Sequence, residues 1–221
     1  MTVPLDSLVH EYVPAPSGGD AVTLLLLHDA GGGEHDLLHL GPALDEGAAL
    51  LAPRGPIPVG AGAGFLSVGP GGALDLDDLH ARAYGLADWV RVAAAAHRLA
   101  TARLVAVGHG GGADMALGLL LLEPGLLAGA VLFRPGLALE PDHRPRLQGA
   151  AVFVGAGRGD VGVSVERLEG ITRQLRRAGA DVTLHWDNAG HDLDQREIAA
   201  AREWLRRRRL TRDLKVHDPP L

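Results

Sequence analysis

The stretch Leu104-Val-Ala-Val-Gly-His-Gly-Gly-Gly-Ala-Asp114 decides the fold. An apolar, branched run enters a turn in which four of the five residues from Gly108 to Gly112 are glycine, and an apolar helical pattern follows over 112–122. A strand, a tight glycine turn and a helix N-terminus form the junction at which an open parallel sheet presents ligands. Five further apolar runs lie around it, at 22–28, 48–54, 128–134, 150–156 and 181–186. None alternates polar with apolar, as expected for strands covered on both faces. Helical patterns are expected at 34–45, 76–99, 164–178 and 194–209, and residues 8–14 add an antiparallel edge strand. Strands alternating with helices mean an α/β fold: a mostly parallel sheet joined by right-handed crossovers. Asp75, Asp77 and Asp78 sit in the first turn of the helix over 76–99, where acidic groups suit the helix dipole.

Composition narrows the class. The 221 residues are 47% hydrophobic, enough for a single packed domain over 1–221 with its fold core at 8–206. A net charge of −6 gives no basic field for nucleic acid. The chain has no cysteine, so disulfides and thiolate metal sites are excluded. The start, MTVPLDSLVHEY, has no signal-peptide pattern, and the apolar runs are too short to span a membrane, so a cytoplasmic location is expected. Residues 55–73 are too rich in glycine for regular structure and are expected to form a pocket or lid loop. Residues 207–221 read as a basic tail, whose arginines are explained by the dipole of the preceding helix.

The glycine turn admits two readings. Gly108-x-Gly110-x-x-Ala113 satisfies a dinucleotide fingerprint, with Arg134 at the end of the next apolar run to meet a 2′-phosphate. Against it, the motif lies midway along the chain and no acidic residue ends the following strand. The other reading is a nucleophile elbow, G-x-S-x-G, with Gly108 and Gly112 as outer glycines, His109 between, and Gly110 at the serine position. Its partners follow in the required order: Asp160 after the strand at 150–156 and His191 after the strand at 181–186, with Asp187 as a second acid candidate. LLLLHDAGGGEHDLL over 24–38 supplies an oxyanion loop.

With LLLLHDAGGGEHDLLHL, LLAPRGP, DLDDLHARAYGLADWV, RLVAVGHGGGADMALGLLL, LAGAVLFRPGLALEP, GADVTLHWDNAGHDL and EIAAAREWL, the chain resembles the phospholipase/carboxylesterase branch of the α/β-hydrolase fold. These are small bacterial serine esterases related to dienelactone hydrolases. The resemblance implies a sheet of about 7–8 strands flanked by helices on both faces. It implies a serine nucleophile, His191 as general base, Asp160 orienting it, and no cofactor. It also implies a pocket bordered by Asp29, Ala30, His109, Gly111 and Ser67, a small ester-like or acidic ligand, and pairing as a homodimer.

Three departures alter that expectation. Gly110 has no side-chain oxygen, so no acyl-enzyme forms on it; glycine also adopts freely the strained backbone angles an elbow demands. Asp29 stands where the family's H-G-x-G-G loop has glycine, and its carboxylate opposes a developing oxyanion unless it points away. The segment after Asp160 is compressed. The chain therefore reads as an esterase homologue, a pseudoenzyme scaffold missing one oxygen that Gly110→Ser would supply. Active alternatives use a His191-activated water, Ser67 as a substitute hydroxyl, or a metal held by His109, His191, Asp160 and Asp29. His28, His35 and His39 form a second group of histidines; His28 fits the family pattern, and His35 and His39 lie one helical turn apart on a face expected to be solvated.

Overall fold

The computed structural model describes residues 4–16, 21–67, 75–137, 139, 141 and 144–210. Seven strands form the main sheet: β1 (His10–Val13), β2 (Thr23–Leu27), β3 (Ala49–Pro53), β6 (Leu104–His109), β7 (Gly129–Phe133), β8 (Ala151–Gly157) and β9 (Asp181–Asp187). Their spatial order is β1-β3-β2-β6-β7-β8-β9, parallel throughout except for β1, which runs antiparallel to β3 with His10 opposite Pro53. The fold is the α/β-hydrolase fold.

The apolar strand runs have two faces to cover, and the helices divide accordingly. Leu25, Leu27 and Ala106 point to the layer made by α2 (Leu76–His97), α3 (Gly111–Leu122) and α4 (Val165–Arg177). Leu24, Leu26, Val105 and Val107 point to the other layer, where α1 (Leu40–Leu44) and α5 (Gln195–Leu210) pack. This alternation at every second strand residue explains why no polar position interrupts the runs.

Two expectations fail locally. The helix expected over 34–45 shrinks to α1, preceded by tight turns in which the Asp36, Leu38 and Leu40 N–H groups bond three residues back. Pro42 has no N–H and blocks a helix that began much earlier; starting at Leu40 leaves it inside the first turn, where none is needed. The segment 55–73 does contain regular structure: β4 (Ile57–Val59) and β5 (Gly62–Gly64) pair as an antiparallel hairpin. Residues 68–73 of that expected lid, and 211–221 of the expected basic tail, lie outside the described residues; 207–210 belong to α5. Among the described residues no helix is long and apolar enough to cross a membrane.

The order of the sheet sets where a site can form. From β2 the chain moves outward to β3, then returns through β6 on the opposite side of β2. The loops leaving β2 and β6 therefore part company above adjacent strand ends, which opens a crevice there.

Candidate active site

Gly110 carries the turn between β6 and α3. Its backbone lies at φ 51, ψ −119, outside the regions open to ordinary residues. The Gly110 N–H donates to the Phe133 carbonyl at 3.0 Å, and its own carbonyl accepts from Asp114 N–H at 3.0 Å, so the turn is held at both ends. Close packing fixes the neighbourhood too: a Cβ on Gly112 would lie 1.9 Å from the Leu27 carbonyl oxygen, so glycine lets α3 start directly against β2.

Opposite stands the loop leaving β2. His28 is buried, donates from Nδ1 to the Asp29 carbonyl at 2.7 Å and accepts at Nε2 from Gly55 N–H at 2.9 Å. The β4–β5 hairpin clasps the loop through Gly31 N–H to the Ala63 carbonyl and Ala63 N–H to the Gly32 carbonyl, each 2.8 Å. Glu34 is buried against Arg54, whose Nε and Nη2 both donate to it.

That frame aims Asp29 inward. Its Oδ1 accepts from Gly111 N–H and from Ala30 N–H, both at 2.7 Å. Its Oδ2 lies 3.0 Å from His191 Nε2. A Cβ built on Gly110 would sit 2.2 Å from Oδ1 and 2.6 Å from Oδ2, so the carboxylate fills the space that any side chain at 110 would need. The space beside Gly110 is thus occupied by the Asp29 carboxylate, which a side chain at 110 would have to push aside.

His191 bridges two carboxylates, with Nε2 on Asp29 and Nδ1 3.0 Å from Asp160 Oδ2. Asp160 is in turn fixed by Gly162 N–H, which donates to Oδ1 at 2.8 Å. An ionised carboxylate only accepts hydrogen bonds, so two of them facing the ring nitrogens favour the doubly protonated imidazolium. Burial works to lower the His191 pKa, but Asp29 and Asp160 outweigh it and the pKa is raised. Burial likewise works to raise Asp29, and the Gly111 N–H, His191 and Ala30 N–H together hold it below the usual value. Asp160 follows the same pattern, burial being outweighed by Gly162 N–H and His191. The carboxylate of Asp29 also sits at the N-terminus of α3, where the dipole favours negative charge.

Arg134 holds the His191 loop from below. It follows β7 directly at φ 58, is buried, and donates from Nε to the Gly190 carbonyl at 2.7 Å and from Nη2 to the Asp192 carbonyl at 3.3 Å. Its other partners are Glu197 of α5 and Asp187. Buried and engaged on every side, Arg134 is not placed to meet a 2′-phosphate, the role the dinucleotide reading gave it. Asp187 spends Oδ1 on Ala189 N–H at 2.7 Å and Oδ2 on Arg134, so His191 turns to Asp160 instead. From above, His109 Nε2 donates to the His191 carbonyl at 2.9 Å, and burial lowers its pKa, so the ring is neutral.

The remaining candidates separate. Ser67 faces α2, where Arg82 first and Ser67 second hold the Asp78 carboxyl below its usual value. His35 pairs with Glu11 at 3.1 Å on the surface, apart from the braced His28. Ligand atoms of Asp29, His109 and His191 lie within 4.8 Å of one another, the arrangement a divalent ion would use. Their donor atoms are already engaged with backbone groups or each other, and an ion would displace the proton between Asp29 and His191.

Comparison with known proteins agrees with this architecture. A hydrolase-named protein of Bacillus subtilis (strain 168), MhqD, is 38% identical over 183 residues, spanning 83% of this chain and 92% of its own. The Bacillus cereus carboxylesterase superposes with a TM-score of 0.87 at 32% identity, over 91% of this chain and 94% of that one. The chain belongs to this hydrolase family. A carboxylesterase from Mesorhizobium loti matches with a TM-score of 0.85 at 27% identity, over 90% and 94% of the two chains. YahD, solved with malic acid, matches with 0.85 at 25% identity over 90% and 98%. A scan against protein-family models finds no match. Within this site, the residue the sequence left undirected, Asp29, is the one that fills the centre. The signal for it lay in two residues read separately: aspartate at 29 and glycine at 110.

Proposed function

We propose that this carboxylesterase homologue does not perform serine acyl transfer, and that its site serves a small neutral molecule. The observation that carries the reading is the position of Asp29 Oδ1, 2.7 Å from both Gly111 N–H and Ala30 N–H. These are the two donors that would stabilise the oxyanion of an ester under attack. With Gly110 offering no hydroxyl and an internal carboxylate on the donor pair, the acyl route lacks both its nucleophile and its electrostatic support. The same occupancy disfavours the acidic ligand that the resemblance implied, because a second anion would have to displace the first.

Hydrolysis of p-nitrophenyl acetate and butyrate tests this. The wild type is expected to stay at the buffer rate, and Gly110→Ser to remain close to it because the new side chain meets Asp29. The double variant Asp29→Gly/Gly110→Ser is expected to turn over, and to lose that activity when His191→Ala is added. Wild-type ester turnover that depends on His191 would sink the reading.

A further inference from the structure

Asp29 is more than a plug. One of its oxygens is saturated by two backbone donors, while among the described residues the other has a single hydrogen-bond partner, His191 Nε2, and the side chain keeps 33% of its surface exposed. From this geometry we propose that Asp29 Oδ2 is the nucleophile of an epoxide hydrolase, an activity that rests on the absence of serine acyl chemistry argued above.

The donor pair selects the electrophile. Attack on an ester carbonyl puts negative charge on the carbonyl oxygen, which then needs the Gly111 and Ala30 N–H groups; both are spent on Oδ1. Attack on a saturated carbon needs no such hole, because charge moves from Oδ2 directly to the leaving atom. The acid placed to meet that charge is the His191 imidazolium, whose Nε2 hydrogen already points at Oδ2. An acid at that place suits a leaving oxygen, which takes up a proton, better than a halide, which leaves without one. A strained cyclic ether fits: its oxygen leaves from one carbon, accepts the proton, and stays tethered through the other.

The steps balance with water as the co-reactant. In the first, Oδ2 forms a bond to an epoxide carbon, the carbon–oxygen bond breaks, and its electron pair takes the Nε2 proton from His191. The product is a hydroxyalkyl ester of Asp29 beside a neutral imidazole. In the second, His191 removes a proton from water as the water oxygen bonds to Asp29 Cγ. The resulting oxyanion is Oδ1, already seated on Gly111 and Ala30 N–H, so the two donors act on the enzyme's own ester. Collapse expels the diol oxygen, which takes the proton back from His191. The carboxylic acid left at Asp29 then returns its proton to the imidazole, and the net reaction is epoxide plus water to diol. Asp160 serves as the positioning residue that keeps Nδ1–H bonded and Nε2 aimed at Asp29 through both steps.

The test uses the full chain with styrene oxide and phenyl glycidyl ether. Diol formation above the buffer rate is expected, reduced at least 100-fold by Asp29→Asn and by Asp29→Ala. His191→Ala, which loses the acid of the first step as well as the base of the second, is expected to abolish diol formation. Wild-type protein quenched in acid during turnover should instead show intact-protein mass raised by one epoxide, with the adduct mapping to the peptide containing Asp29. In H₂¹⁸O a single turnover should give unlabelled diol and leave the label in the Asp29 carboxyl group. Label in the diol from that single turnover would overturn the proposal, since water would then have attacked the epoxide directly. Neither diol nor adduct with either epoxide, on protein whose circular dichroism is that of a folded α/β chain, would overturn it too. Turnover lost to EDTA and restored by zinc would do the same. The serine-free reading fails separately, on p-nitrophenyl ester turnover by the wild type, so the two failures are distinguishable.

Discussion

Two clusters of opposite charge share the C-terminal edge of the sheet, and they differ in one respect that matters. Arg134 with Glu197 and Asp187 is sealed, the Arg134 and Glu197 side chains being 0% exposed. His191 with Asp29 and Asp160 is open, the His191 side chain being 46% exposed. Sealed charges cannot trade partners without leaving an uncompensated ion in the interior. They suit the task of holding the 188–192 loop still. Open charges exchange protons with solvent and ligand, and suit chemistry. The contrast teaches that the fold places a buried ion pair, with burial pushing the Glu197 pKa up to about 7, in the support and an exposed, exchangeable proton in the site.

The sharpest way to break this contrast is to unseal the support. Arg134→Ala strands Glu197 and releases the Gly190 and Asp192 carbonyls, so urea denaturation should show a loss of about 3–5 kcal/mol. A loss under about 1 kcal/mol would mean that the cluster is not what holds the loop.

Next in size is Asp114, on α3 beneath the site, whose Oδ1 accepts from Gly136 and Leu137 N–H at 2.7 Å each. Burial pushes its pKa up to about 6 despite those bonds. The folded chain therefore binds the proton more tightly than the unfolded one, and stability from this group falls as pH rises from about 4 to 6. Asp114→Asn keeps an acceptor oxygen and removes the buried charge. It should flatten that fall and raise stability at pH 7 by about 1–3 kcal/mol, read from urea midpoints at several pH values. A variant that keeps the wild-type pH profile would assign the fall to other groups.

A smaller effect is expected in the open cluster, where solvent screens the charges. His191 has a raised pKa, so its stabilising share is complete below pH 6.5 and is lost as pH climbs through the folded value. Asp29 and Asp160 have lowered pKa values, so their share is complete above 3.8 and is lost as pH falls through the folded values. Between those limits the cluster is at full strength. Asp29→Asn should lower the His191 pKa, followed by NMR titration of the ring, and narrow the window from its alkaline side. An unmoved His191 titration would mean that the two groups do not interact in solution.

Smallest of all is Glu203, on the exposed face of α5, paired with Arg206 and Arg207. The Arg206 guanidinium first and Arg207 second pull its pKa down to about 2. Exposed pairs of this kind are screened, so Glu203→Gln should leave the Tm unchanged within measurement scatter. A clear drop would show that α5 relies on its surface charges as well as on its buried face.

The sequence announced the sheet because its strands bury both sides, and an unbroken run such as Leu24–Leu27 has no other soluble use. It announced α2 through Asp75, whose side chain caps Asp77 and Asp78 N–H. It misjudged α1, where the apolar spacing of 34–45 outweighed the veto of Pro42, and the β4–β5 hairpin, where glycines hid a pairing made by backbone alone. At the site, Asp160, His191 and Gly110 were legible because each follows a strand at a fixed offset. The direction of Asp29 was not, because it depends on the absence of a Cβ in a loop 81 positions away, a relation between two residues that neither reveals alone.

That relation has an evolutionary consequence. Serine at 110 and aspartate at 29 contend for one volume, with 2.2 Å between the added Cβ and Oδ1, so they do not coexist without expelling one of them. Glycine at both positions leaves the donor pair and the imidazole facing solvent. Any path of single substitutions between a serine at 110 and the present pair therefore crosses an intermediate that is either crowded or empty. The two positions are coupled: what residue 110 can be depends on what stands at 29.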